Sequence, residues 1–161
     1  MKRLLWAILF LVASVALFGA DKDDFDGIVD FQATLESLAR QAARQPEALV
    51  RNDAVLILDG VVSAVSVLNS EPESFRAEID LVTGEWVGLE RIVMYKAVVR
   101  VSGPDFAPRI PTRRSRSRPP GGVIERNQRV MVVGTITDVT DDPQTGRTIP
   151  VLEGFYVRNL D

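Results

Sequence analysis

The residues best suited to bind a ligand are five arginines that lie close together: Arg109, Arg113, Arg114, Arg116 and Arg118. The segment that holds them, residues 108–122, has no acidic residue, and its prolines and glycines oppose regular structure. Guanidinium groups grip phosphate and other oxyanions through paired hydrogen bonds. The segment is therefore a candidate polyanion site, for anionic lipid headgroups or acidic polysaccharide if the protein is exported. The alternative is a solvated loop that pairs loosely with acids of the same chain.

A second candidate ligand face combines aromatic and cationic side chains: Trp86, Lys96, Arg100 and Tyr156. Such side chains bind oligomers on the surface of small barrels. Tyr95 shares its alternation with apolar neighbours, so core packing explains it better than binding. The polar positions Arg76, Glu78 and Asp80 are more acidic than a nucleic-acid face should be. The pattern therefore argues against a nucleic-acid platform.

Two groups of carboxylates could do other chemistry. Glu78 and Asp80 lie two residues apart, and paired carboxylates can act as acid and base in glycoside hydrolysis. Asp138, Asp141 and Asp142 could supply oxygen ligands to calcium. Simpler interpretations are a solvent-exposed strand face for the first pair and ordinary turn chemistry for the second group.

The absence of histidine and cysteine excludes several functions. Ser-His-Asp and Cys-His nucleophile systems need an imidazole base near neutral pH. Zinc sites built from thiolates and imidazoles, disulfide bonds and acylation of a lipoprotein cysteine are excluded as well. The formal net charge of -3 predicts no particular partner. We therefore expect a protein that is not an enzyme and uses no cofactor.

The first twenty residues have the pattern of an export signal. Met1-Lys2-Arg3 is a short positive start, residues 4–20 are uncharged and mostly apolar, and charge returns at Asp21. Small residues suit cleavage after Ala16, and Ala20 offers another site. The alternatives are an uncleaved membrane anchor, because the apolar stretch is at the short end of a span, and a buried N-terminal helix.

The periodicity of the remaining chain predicts a short helical part followed by strands. Residues 21–51 are interpreted as an acidic tether and helical preamble, in which Thr34 caps a helix over residues 35–44 and Pro46 begins another turn. Residues 52–161 then form one mainly β domain with a disordered basic loop at about 103–128. The predicted strands cover residues 52–67, 75–82, 92–102, 129–138 and 148–159.

The order of these strands predicts a five-stranded OB-fold-like barrel. Its long first strand carries Gly60 at the position of a bend, and the long insertion falls between strands three and four. Thr83-Gly84-Glu85 is expected to end the second strand. Another five-stranded barrel or a sandwich is the alternative architecture.

With its leader, helical preamble and Leu58-Asp59-Gly60-Val61-Val62 in the first strand, the chain resembles exported bacterial OB-fold proteins. These include the periplasmic BOF group and the tRNA_anti-like OB domains. The resemblance covers residues 52–160 and implies a ligand-binding role without a defined activity. No functional residue is carried over from it.

These observations favour an exported or anchored, non-enzymatic binding module. It would act in the periplasm or cell envelope on an unknown protein or oligomeric ligand, and cytoplasmic nucleic acid would be out of its reach. The first alternative is a membrane-surface protein that contacts anionic lipid or polysaccharide through its arginine-rich loop. The second is a hydrolase that uses carboxylates.

The leader makes a direct prediction about the exported protein. We expect its intact mass to correspond to cleavage after Ala16, which has small residues at both cleavage positions, or after Ala20, where Phe18 is bulky at the upstream position. Mass spectrometry of the envelope fraction measures this. A mass that retains Met1 would show that residues 4–20 stay attached as an anchor.

Overall fold

The computed structural model describes residues 28–111 and 122–160. The leader, most of the acidic tether and four of the five arginines (Arg113, Arg114, Arg116 and Arg118) lie outside the described residues. Within the described ranges, no helix is both long and apolar enough to cross a bilayer.

The regular structure of the described chain consists of six strands, two short α-helices and one turn of 3₁₀-helix (Pro72–Ser74). The strands are β1 (Val29–Asp30), β2 (Val55–Asn69), β3 (Arg76–Val87), β4 (Arg91–Ser102), β5 (Arg129–Asp141) and β6 (Thr148–Asn159). The helices are α1 (Leu35–Arg44) and α2 (Pro46–Val50). The sheet runs β1-β2-β3-β4-β6-β5, and β5 also pairs with β2. That last pairing closes the sheet into an OB-fold-like barrel, so the predicted fold class is confirmed.

The barrel closes because β2 serves two neighbours. Leu56 to Val61 pair with β5, whereas Val61 to Asn69 pair with β3. Gly60 lies immediately before this change of partner. A Cβ atom at Gly60 would stand 2.8 Å from Leu81 Cγ and 3.0 Å from the Val82 carbonyl oxygen. Glycine therefore lets β3 cross close to β2 at the predicted bend.

The second of the predicted strands, β3, is longer than its sequence suggests. Thr83, Gly84 and Glu85 were expected to break it, but β3 continues to Val87. Each residue from Arg76 to Val87 has a partner on β4, and cross-strand pairing outweighs the low strand propensity of glycine. The reversal instead follows Gly88, whose φ of +71° suits a residue without a Cβ. The distal halves of β3 and β4, residues 82–96, form a hairpin that we call the arm.

One end of the barrel, the helix end, is covered by α1 and α2. Thr34 caps α1 as predicted: its hydroxyl accepts from the Ser37 amide at 3.1 Å, and the Ser37 hydroxyl accepts from the Thr34 amide at 3.0 Å. Leu35, Leu38 and Ala42 form the buried stripe of the helix and belong to the main core. The preamble is therefore part of the packed domain.

The opposite end, the loop end, is closed by the flanks of the basic loop. Residues 103–111 and 122–128 contain neither helix nor strand, yet Phe106, Ile110, Val123 and Ile124 are buried. The Ile124 amide donates to the Arg109 carbonyl at 2.7 Å and joins the two flanks. These flanks are packed turns rather than disordered chain. Their apolar residues fill the barrel end, as a helix does in other OB-folds.

The directions of the strands determine which connecting segments lie at the helix end and which lie at the loop end. The start of β2, the turn at 88–90 and the turn at 142–147 lie at the helix end. The turn at 70–75, the basic loop and the end of β6 lie at the loop end. Val29 pairs in parallel with Val55, so the described chain begins at the helix end. The segment that follows the leader and the arginine-rich loop therefore join the barrel at opposite ends.

Candidate functional site

A groove opens beside the barrel at the helix end. Its volume is about 560 Å³, and its walls come from α1, from the arm and from the β5–β6 turn. Ala39 and Ala43 line it from the helix, Val82 and Met94 from the arm, and Ile149 from the start of β6. The lining is mainly apolar, and the volume lies in the range of sites that bind ligands.

The groove exists because β4 and β6 separate. The two strands pair in parallel over three residues only, Val98 to Arg100 against Val151 to Glu153. Toward the helix end they diverge, and the next residue of β6, Pro150, has no amide hydrogen to continue the ladder. The divergence leaves a gap between the two strands, and α1 packs over this gap at the helix end.

An ion cluster of Asp80, Lys96 and Asp142 crosses the groove. The Lys96 ammonium lies 2.8 Å from a carboxylate oxygen of Asp80 and donates to Asp142 Oδ1 at 3.1 Å. The Lys96 side chain is 18% exposed and that of Asp142 only 5%. Asp142 is the one buried charged or polar residue in the described ranges. The cluster therefore ties β3, β4 and the β5–β6 turn together.

The turn itself is built around Asp142. The Thr145 hydroxyl donates to Asp142 Oδ2 at 2.6 Å, and the Gly146 amide donates to the Asp142 carbonyl at 2.7 Å. Gly146 has a φ of +65°, which favours glycine. The sequence Asp-Asp-Pro-Gln-Thr-Gly was correctly predicted as a turn. Its second aspartate also holds the turn to the barrel.

The surroundings shift the pKa of both partners. The Thr145 hydroxyl lowers the pKa of Asp142, burial opposes this, and Lys96 lowers it further, so the net shift is downward. Burial lowers the pKa of Lys96, but the hydrogen bonds and charges of Asp80 and Asp142 outweigh burial and raise it. Both groups are therefore held in their charged forms.

The arm carries an exposed apolar surface that continues from the groove. Trp86, Ile92 and Met94 share one face of the two paired strands, and Trp86 is 67% exposed. Gly84 pairs with Met94 on this face, and a Cβ there would stand 3.2 Å from both Met94 Sδ and Ile92 Cγ2. Clustered exposed apolar side chains mark sites of interaction.

Tyr95 joins the arm to α1. Its hydroxyl donates to Glu85 Oε2 at 3.0 Å and accepts from the Arg40 guanidinium at 3.3 Å. The ring packs partly against the main core, as its alternation predicts. Tyr95 therefore positions one wall of the groove.

The structure brings together only part of the predicted ligand face. Lys96 lies in the groove and Trp86 lies on the arm, whereas Arg100 forms an ion pair with Glu78 at 3.1 Å. Tyr156 pairs with Val133 on another part of the barrel and does not line the groove. The sequence did not point to other charged or polar groove residues, among them Arg40, Thr145 and Arg147. The turn pattern around Thr145 was their only signal.

The strand surface that other OB-folds use for nucleic acid is electrically balanced here. Glu78 pairs with Arg100, and Asp80 pairs with Lys96. These ion pairs compensate the charges of Lys96 and Arg100, which weakens the attraction of these two side chains for phosphate. The same contacts occupy the two carboxylates considered for hydrolysis. Across the described chain, no group of three acidic residues is arranged to hold a metal ion.

Arg109 is the one described member of the arginine cluster. It donates to the Gly122 carbonyl at 3.1 Å and to the Val157 carbonyl at 2.5 Å, and its guanidinium stacks over Phe106. These contacts fasten the base of the loop to β6. Contact of Arg109 with a polyanion stays a prediction, and it would have to compete with these bonds.

Comparisons with known proteins give little further information about the fold. No family model and no curated protein matches the chain. Among solved structures, the small single-stranded DNA-binding protein of Streptomyces coelicolor is 14% identical, with a TM-score of 0.39. The match covers 67% of this chain and 94% of that protein. At this level the similarity says nothing about what this chain binds.

The ion cluster predicts that two cationic residues of β4, Lys96 and Arg100, contribute unequally to the stability of the fold. We expect Lys96→Met to lower the free energy of unfolding by about 2 kcal/mol, because it leaves the buried Asp142 carboxylate without its cation. Arg100→Met is the matched control and should cost less than about 1 kcal/mol, because the Arg100–Glu78 pair is exposed. Urea denaturation measures both. Equal losses would contradict a special role for Lys96.

The difference in stability between the wild type and Lys96→Met also depends on pH. The lowered pKa of Asp142 makes its contribution present above the ordinary value of 3.8 and lost as the pH falls through the folded value. The raised pKa of Lys96 makes its contribution present below 10.5 and lost as the pH rises through the folded value. The difference in stability between the wild type and Lys96→Met should therefore be flat between these limits and shrink outside them.

Proposed function

We propose that this chain is an exported or membrane-anchored binding module, without enzymatic activity, whose ligand lies in the groove at the helix end. The observation that carries the proposal is the divergence of β4 and β6, which opens a mainly apolar groove of about 560 Å³ beside an exposed apolar arm. Concave, mainly apolar sites with a few placed polar groups are where ligands bind. Thr145, Lys96 and Arg147 supply such groups here.

Two features support binding rather than catalysis. The chain has no imidazole or thiol, and the acids nearest the groove are engaged: Asp142 with Lys96 and Thr145, Glu85 with Tyr95. A general acid or base needs a free carboxyl group beside the reacting bond. The groove is better equipped to hold a ligand than to cleave one.

The compartment rests on the leader. A positive start, an apolar stretch and small residues before Asp21 form an export pattern, and a barrel without cysteine tolerates an oxidising compartment. The exported OB-fold proteins that the chain resembles suggest the same location. The expected partner is accordingly a protein or an oligomeric ligand of the cell envelope.

The competing function is contact of the arginine-rich loop with an anionic membrane surface. The chain enters the barrel at the helix end, whereas Pro111 and Gly122, which flank the loop, lie at the loop end. Residues 21–27 can reach at most about 25 Å, and a twelve-residue strand such as β4 is about 40 Å long. A barrel tethered through its leader would therefore present its helix end to the bilayer most readily and hold its loop end farther away. This geometry favours the groove as the principal site.

Photo-crosslinking in intact cells tests the groove. A benzophenone amino acid at Met94 or Trp86 should give a discrete adduct, because the proposed ligand touches the groove and the arm. The same amino acid at Phe155, which is exposed but does not line the groove, is the matched control. Adducts of equal yield at all three positions, or at Phe155 alone, would contradict the proposal.

Vesicle binding distinguishes the competing function. Anionic phospholipid vesicles are sedimented with the exported protein or with a variant in which four arginines are changed to Gln: Arg113, Arg114, Arg116 and Arg118. We expect the crosslink from Met94 to be unchanged in the variant, because the loop and the groove lie at opposite ends of the barrel. Salt-sensitive vesicle binding that the variant loses, together with loss of the Met94 adduct, would favour the membrane-surface function instead.

A further inference from the structure

One edge of the sheet is left open inside the groove. β4 pairs with β3 along its whole length, but on its other side only Val98 to Arg100 are paired, with β6. In the described part of the chain, residues 91–97 have no strand partner on this second side. Alternate residues of this stretch therefore have their amide and carbonyl groups on the side without a strand partner, and Met94, Tyr95 and Lys96 of the stretch line the groove. Such an edge is a template for an added strand.

Apolar side chains flank the open edge on both sides. Met94 and Ile92 stand on one face of the edge strand, and Ala39, Ala43 and Ile149 line the groove across from it. An extended chain that paired with β4 would alternate its side chains between these surfaces every second residue. Lipids and sugars lack the regularly spaced donors and acceptors that this edge could pair with.

The charge of the lining indicates what the added strand should carry. Asp142 is the lone carboxylate of the lining and shares Lys96 with Asp80, whereas Arg40 is paired with Glu36. Arg147 is exposed, and its guanidinium makes no ion pair within residues 28–111 and 122–160. Arg147 is therefore the lining cation that is available to pair with a ligand. A carboxylate on the ligand would complement it.

We propose that the groove takes an extended polypeptide segment of a partner protein, which adds to the edge of β4 as an extra strand and places an acidic side chain against Arg147. The inference rests on the proposed function, because it names the ligand class of the same groove. Backbone pairing with residues 91–97 gives affinity, and the apolar positions and the carboxylate give selectivity.

The probe is a set of dodecapeptides selected from a random display library on the full exported protein. Each selected peptide is resynthesised with N-methyl groups on its odd or its even residues, which removes half of its amide donors without changing the protein. We expect one methylated form to lose at least 100-fold in affinity and the other to keep most of it, because only alternate residues of an added strand face β4. Equal tolerance of both forms would overturn strand addition.

Amide hydrogen exchange locates the bound peptide. We expect the amides of residues 91–97 that face the groove to exchange at least 10-fold more slowly with peptide, while those paired with β3 change little. Arg147→Gln should weaken binding about 10-fold for peptides with a carboxylate, and Arg158→Gln, an exposed arginine outside the groove, is the matched control. Protection elsewhere, or equal effects of the two variants, would contradict the inference.

The outcomes separate this inference from the proposed function. If Met94 and Trp86 give adducts but no selected peptide protects residues 91–97, the groove binds a ligand of another class and only the strand-addition inference fails. If Met94 gives no adduct in cells and no peptide is selected, the groove is not a binding site and both proposals fail.

Discussion

The architecture of this protein depends on how far β4 and β6 stay paired. Parallel pairing over Val98 to Arg100 is enough to close the barrel, and Pro150 marks the point where the ladder stops. Beyond it, the two strands would be free to move apart. Lys96 sets the separation by reaching from β4 to Asp142 on the β5–β6 turn. An ionic contact thus links the two walls of the gap where backbone pairing ends.

Both ends of the barrel are closed by segments that are not strands. At the helix end α1 buries Leu35, Leu38 and Ala42, and at the loop end Phe106 and Ile124 fill the opening. Each closure continues the core without adding to the sheet. In the groove a ligand can therefore approach the backbone of β4 without displacing the core, because α1 already covers this end of the barrel.

The sequence was informative where a local signal decides the structure. Alternating apolar residues located all five long strands, Thr34 marked the start of α1, and Gly60 marked the bend in β2. It was misleading at Thr83-Gly84-Glu85, because the partner residues on β4 that extend β3 are invisible to local propensity. The groove could not be foreseen for the same reason. The groove is lined by residues that are far apart in sequence, Arg40, Lys96 and Arg147. They line the same groove only because β4 and β6 separate.

The open edge of β4 also has a consequence for the protein alone. A strand edge that accepts a partner accepts another copy of itself equally well, and such pairing leads to aggregation in β proteins. Arg91 begins the open stretch, and Arg147 stands on the opposite rim of the groove. When two copies approach edge to edge, these positive charges repel each other, whereas an acidic chain is attracted. If the edge takes an acidic strand, as proposed, the same arginines would favour that strand over a second copy of the protein.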